Sequence, residues 1–310
     1  MATIWHRYLV NDRPALDGLK QLSNRMMAAA AKSRHTFCLL INRSANLQME
    51  LDEEMMAVAG TLIGRGIVVI TAPARGAGNA LFTSLFSWPQ DATSPVNVLL
   101  DGDQWDISRK EVLDVVDALA ARLSKDKLLF GLGARDRVVL GIGEDDLVRQ
   151  VEETYFARMM QPRIELSNPL GIDLTKVPAS YRKYGDPIPG FYAVNTAHPK
   201  FTELRTGVQA ASMTPEIAKW AGDPYTVIKA AQLAEKIISI YAPIIDNPPG
   251  THDMGALRRK TVALSNTDIG TSWGKLLQDE KFASELGRWY PATVVQQARE
   301  LMLGVRTAGS

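Results

Sequence analysis

The sequence predicts an α/β protein, a mostly parallel β-sheet with helices on both faces. Two observations carry that expectation. Short apolar runs alternate with longer segments of helical periodicity through the first 125 residues, and a parallel sheet is covered by such an alternation. The apolar runs also end in short polar loops, which a parallel sheet would gather on one edge, the edge where such sheets bind ligands.

The elements follow in order. Residues 4–10 are expected as the first strand, closed by Asn11-Asp12 and Pro14. Residues 15–32 place Leu16, Leu19, Leu22 and Met26 at helical spacing with no internal breaker. Residues 36–41 form a second strand, in which Cys38 is read as a small buried hydrophobe. A helix over 50–63 puts Met55, Met56, Val58 and Leu62 on its apolar positions. "GIVVIT" (66–71) is a third strand, and 79–86 a short helix. Val96, Val98, Leu99 and Leu100 belong to a fourth strand, and Val112, Val115, Val116, Leu119 and Leu123 give 109–123 a strong helical period. Ser108 is expected to cap that helix, with Glu111 three residues on. Residues 131–180 give no clear pattern, and a helix around 294–303 is taken to pack the core, with a dimer interface as the alternative.

Composition excludes several classes. Lys and Arg number 35 against 34 Asp and Glu, a net charge of +1, so no global field favours nucleic acid or anionic lipid. One cysteine rules out an internal disulfide and a multi-cysteine metal site. The N-terminus lacks the apolar stretch of a signal peptide, and no apolar run reaches the roughly 18 residues of a membrane span. A soluble, cytoplasmic protein is expected.

The strand ends assemble a candidate site. They offer Asn11-Asp12, Asn42-Arg43-Ser44, "APARGAGNA" and "DGDQWD". Paired carboxylates suit a hard divalent cation, and a glycine-rich turn exposes backbone amides to an anion. Taken alone, Arg75-Gly76-Ala77-Gly78 is equally a strand-to-helix turn; it is neither a Walker loop nor a dinucleotide fingerprint. Three aspartates in six positions exceed what one helix cap needs.

The order "VVITAPARGAGNAL", then about fifteen residues, then "VNVLLDGDQWDIS" resembles the nucleotide-sugar half of a GT-A fold glycosyltransferase. The resemblance implies that Asp101-Gly102-Asp103 is the Asp-x-Asp motif, its carboxylates holding Mn²⁺ or Mg²⁺ on the donor diphosphate. It places Arg75, Gly76 and Gly78 near the nucleotide, Asn42, Arg43 and Ser44 beside base and ribose, and Asn11 and Asp12 at the first donor loop. There the usual proline is missing and Asn-Asp stands for Asn-Glu. In the second half, "YGDPIPGFYAVNT" (184–196) is similar to the segment under the acceptor, with Gly190 in it. Asp223 occupies the acidic place that opens a later helix, as catalytic base or as a helix N-cap before Pro224. His252, in "GTHDMG", matches a metal-shell histidine of some retaining members; His6, His35 and His198 match nothing.

The resemblance thus implies transfer of a sugar from a UDP- or GDP-linked donor to a hydroxyl acceptor, with residues 1–125 as the donor half and 126–310 as the acceptor-side half of one domain. A sugar-1-phosphate nucleotidyltransferase, a haloacid-dehalogenase-like phosphatase using Asp101 and Asp103, and a non-catalytic α/β binding protein are the alternatives. The sugar, base, acceptor, stereochemistry and any homodimer stay open.

Overall fold

The computed structural model describes residues 1–74, 77–86, 95–138, 144–161, 163–245 and 254–304. Eight strands form one sheet: β1 (Thr3–Val10), β2 (Thr36–Arg43), β3 (Val68–Pro73), β4 (Val96–Asp101), β5 (Phe130–Arg135), β6 (Ile164–Ser167), β7 (Phe191–Asn195) and β8 (Ile237–Ala242). Their order across the sheet is β3-β2-β1-β4-β7-β5-β8-β6. All pairings are parallel except those of β7, which runs against both β4 and β5. The first four strands belong to residues 1–125 and the rest to 126–310, and β7 sews the two halves together.

The helices are α1 (Arg13–Ala30), α2 (Met49–Ile63), α3 (Ala77–Leu81), α4 (Lys110–Lys125), α5 (Glu144–Met160), α6 (Ala179–Tyr184), α7 (Phe201–Ser212), α8 (Gly222–Leu233), α9 (Met254–Ser265), α10 (Gly270–Leu277), α11 (Glu280–Leu286) and α12 (Ala292–Leu303). The strands alternate sides with period two. In β2, Phe37, Leu39 and Ile41 join one layer with α1, α2 and α4, while Cys38 and Leu40 join the other. That second layer contains α5, α7, α8 and the four C-terminal helices, with Trp5, Phe156 and Trp273 among its largest buried side chains.

The sequence-based boundaries of the first 125 residues hold within about two residues, with two local corrections. The short helix after β3 is α3 followed by a π-helical turn, Phe82–Phe86. Ser108 does not cap α4, whose first turn has no side-chain cap. Instead Asp106 accepts from the Ser108 amide at 3.0 Å and hydroxyl at 2.6 Å, closing a turn ahead of the helix. Cys38 is buried, and burial pushes its thiol up to about 12. The C-terminal helix packs the core through Val294, Val295, Ala298 and Met302. No described helix is long and apolar enough to cross a membrane.

Candidate functional site

The sheet's connectivity reverses between β1 and β4. From β1 the chain moves outward to β2 and β3, then returns to the far side of β1 as β4. In open α/β sheets ligands bind at such a switch point, beyond the carboxyl ends of the strands. Arg7 of β1 and Asp101 of β4 are register partners there. The apolar run 96–100 is a buried strand, and Asp101 is where it reaches the edge.

Arg7 organises the site. Its guanidinium donates side-on to Asp101 through Nε and Nη2, the latter at 3.1 Å, and end-on to Asp223 through Nη1, at 2.9 Å, and Nη2. Four hydrogen bonds thus fork one arginine across two carboxylates, the geometry for which its planar donors are suited. Burial alone would lower its pKa, but the charges of Asp101 and Asp223 hold it well above its ordinary value. Tyr192 of β7 donates to Asp223 at 3.2 Å. Burial pushes the Asp101 carboxyl up to about 6, with Asp223 and Asp103 adding repulsion, although Arg7 pulls the other way.

The turn after Asp101 is nailed down by its own sequence. Asp101 accepts backbone hydrogen bonds from Gln104 and Trp105, at 3.0 and 3.1 Å, and its amide donates to the Gly190 carbonyl at 2.8 Å. The Trp105 indole is fully buried, donates to the Pro189 carbonyl at 2.9 Å and meets Phe191 edge-on at 5.2 Å. Gly190 has φ +63°, and a Cβ there would lie 2.5 Å from Asp101 Oδ2. Only glycine admits that approach. Gly102 is likewise packed, against Leu22 and Tyr8, so it fills a structural place beneath the turn.

The structure therefore brings together Asp101, Asp223, Gly102 and Gly190, all named from sequence, and adds Arg7, Tyr192 and Gln104, which sequence reasoning missed. A signal existed for Arg7: it is a permanent cation inside the largely apolar strand "TIWHRYLV". Asp223 is not a helix N-cap. It lies in the first turn of α8, after Ala221 as cap and a π-helical turn, Ile217–Ala221; such turns recur at functional sites.

The remaining candidates are engaged elsewhere on the edge. Asp12 caps α1, accepting from the Ala15 amide at 2.8 Å, and Asn11 is exposed beside it. Arg43 pairs with Asp52 at 2.8 Å. Ser44 Oγ accepts from the Asn46 amide at 3.4 Å, and Asn42 is partly buried at the end of β2. Gly78 lies in α3. Arg75, Gly76 and His252 fall outside the described residues.

Asp101 faces Arg7 with both oxygens, so a dication bound to it would meet a guanidinium already in place. Asp103 is exposed. Among the described residues no group of three or more His, Cys, Asp or Glu side chains is arranged to hold a metal ion. In this arrangement both Asp101 oxygens are engaged by Arg7, which leaves Asp103 as the exposed carboxylate of the pair.

A second buried charge cluster lies at the carboxyl end of β5. Arg135 donates to Asp186 through Nε and Nη2, both at 2.7 Å, and to Glu153 at 3.3 Å. Glu153 also accepts from Tyr181 and, at 3.0 Å, from Arg149. Burial alone would raise its pKa, but Arg149, Arg135 and Tyr181 bring it down to about 2. Its neighbour Glu152 is pushed up to about 7 by burial, against the pull of Lys260 at 3.3 Å.

Among the described residues, no histidine takes part in either cluster. His6 is buried in the apolar layer, where burial lowers its pKa to about 3. His35 accepts from the Ala2 amide at 3.0 Å and approaches Asp117 at 3.3 Å. No family model matches the chain, and comparison with curated proteins gives no match either.

Proposed function

We propose that the protein transfers a sugar from a UDP- or GDP-linked donor to a hydroxyl acceptor with the help of a divalent cation. The observation that carries the proposal is the Asp101 turn at the switch point, joined through Arg7 and Gly190 to the second half of the chain. Two carboxylates, Asp101 and Asp223, share one guanidinium here, and a third, Asp103, follows two residues after Asp101. A diphosphate approaching that balance needs a cation, and exposed Asp103 is the residue that would hold one. Mn²⁺ or Mg²⁺, when bound, supplies Lewis-acid neutralisation of the departing diphosphate.

The other residues position. Arg7 locks Asp101 and Asp223 in one plane of hydrogen bonds, and Gly190 lets the turn sit flush on β7. Asp223 accepts three hydrogen bonds of the roughly four a carboxylate can take, so in this proposal it orders Arg7 rather than deprotonating the acceptor. The same engagement counts against Asp101 as a phosphatase nucleophile, since both its oxygens are held by Arg7.

Calorimetry with UDP and GDP, with and without Mn²⁺, tests the proposal. Metal-dependent binding that disappears in Asp103→Asn, with unchanged thermal unfolding, is the expected result. Equal binding without metal, or in Asp103→Asn, would overturn the metal assignment. A nucleotide-sugar panel scored separately for nucleoside diphosphate and inorganic phosphate release then separates transfer from phosphatase chemistry.

A further inference from the structure

A cleft of about 580 Å³ opens between the first half of α5, the segment leading into α6, and the corner before α12. It lies on the same edge of the sheet as the Asp101 turn, because Val138 follows the carboxyl end of β5 and residues 175–179 follow that of β6. Its charged lining is Lys176, Arg182 and Arg288, all exposed, and no carboxylate lines it. The chain as a whole is balanced, with 35 basic and 34 acidic residues, so three cations around one cleft are a local departure.

These cations differ from their neighbours. Lys183, one residue after Arg182, is spent on Glu285. Lys176, Arg182 and Arg288 make no side-chain hydrogen bond or ion pair among the described residues. Asp173, three residues before Lys176, is turned onto Thr175, accepting from its amide at 2.9 Å and its hydroxyl at 3.0 Å, and Glu285, three residues before Arg288, is held by Lys183 and by Tyr184 at 2.6 Å. The acidic first turn of α5 lies outside the lining.

The walls are built rather than accidental. Tyr290 is buried, its hydroxyl 2.8 Å from Ser180 Oγ and 3.5 Å from Thr154 Oγ1. Behind it stand Tyr181 and Glu153 of the Arg135 cluster. Trp289 is half-buried and lines the cleft beside Tyr290, with Lys183 over its ring at 5.7 Å, and Gln150 adds a neutral hydrogen-bonding group.

We propose that this cleft binds a phosphate monoester of a small organic molecule. Arg182 and Arg288 offer the forked donors that match phosphate oxygens, and Lys176 adds a third positive charge against a dianion. Trp289 covers the organic body, and Gln150 reads its hydroxyls. The assignment does not depend on glycosyl transfer at Asp101.

Calorimetry with glucose 6-phosphate, glucose and inorganic phosphate as probes tests it. Glucose 6-phosphate should saturate in the millimolar range or better and weaken with added salt, while glucose alone gives no binding. Arg182→Ala and Arg288→Ala should each weaken glucose 6-phosphate about tenfold, the scale of one hydrogen bond to a charged group. Trp289→Leu should weaken glucose 6-phosphate but leave inorganic phosphate unchanged. All three side chains are at least partly solvent-exposed, and unaltered thermal unfolding will show that the variants fold. No saturable binding of either phosphate, or undiminished binding in the Arg182→Ala/Arg288→Ala double variant, would overturn the site. Inorganic phosphate binding as tightly as glucose 6-phosphate would overturn the organic part of the assignment.

Discussion

Replacing Gly190 with alanine separates two effects that the structure superimposes at one residue. Gly171 has the same φ, +63°, but a Cβ built on it meets nothing within 4 Å. Gly171→Ala therefore reports backbone strain alone: about 1–2 kcal/mol for an L residue in the left-handed region, less about 0.4–1 kcal/mol from a stiffer unfolded chain. At Gly190 the added Cβ would lie 2.5 Å from Asp101 Oδ2 and 2.9 Å from Gln104 Oε1. Ordinary contact begins near 3.4 Å, so Asp101 must retreat by about 0.9 Å (3.4 minus 2.5). A displacement of that size along its 3.1 Å bond to Arg7 Nη2 takes that bond to about 4 Å, beyond hydrogen-bonding range. One hydrogen bond to a charged group contributes about 1.5–3 kcal/mol. Gly190→Ala should therefore lose about 2–4 kcal/mol, and Gly171→Ala about 1 kcal/mol or less. Urea unfolding of both variants measures the difference. Equal losses would show that Asp101 yields freely and that the fork on Arg7 is not a rigid fixture.

Arg7→Met should cost about 3–5 kcal/mol at neutral pH, because it strands two buried carboxylates. Asp101 stands at about 6, above the unfolded value near 3.9, so its contribution is complete at low pH and is lost as pH rises through the folded value. Without Arg7 that loss grows, and the gap between the proteins should be wider at about pH 8 than at about pH 5; a pH-independent gap would refute the argument. Glu152, at about 7 through burial, likewise drains stability as pH rises toward 8, and Glu152→Gln should flatten the thermal-unfolding profile over that range. A profile as steep as the parent's would place the pH dependence elsewhere. Gly133→Ala should cost about 1–3 kcal/mol by overpacking, since its Cβ would enter the Phe191 ring; unchanged urea unfolding would mean the ring has room to move.

The legible part of the fold is the part whose burial writes a period. In α4 the buried residues are Val112, Val115, Val116, Leu119, Ala120 and Leu123, one stripe with polar residues opposite. In α5 the buried set runs unbroken from Val151 to Ala157 and includes Glu152, Glu153 and Thr154, so charge sits where a stripe would be sought. The strand β5, "FGLGAR", is equally opaque. Its glycines are there because Phe191 and Leu119 fill the space above them, a reason that lies in other segments. The same holds at the site. The Asp101 turn stands out locally, but its partners Arg7 and Asp223 lie 94 positions before it and, from Arg7, 216 positions on. Pairing of β1, β4 and β7 joins them, and no short motif records a pairing.

The reversed direction of β7 fixes how far apart the two charge clusters can be. A strand that runs against its neighbours begins where they end, so the segment feeding β7 crosses the functional edge before descending. Asp186, held by Arg135, and Gly190, held by Asp101, are four residues apart on that segment. Even fully stretched, four residues span roughly 14 Å. Two centres that look remote in sequence are thus leashed within the length of a small ligand, and within about two screening lengths in physiological salt. A charge gained or lost at one of them changes the potential at the other.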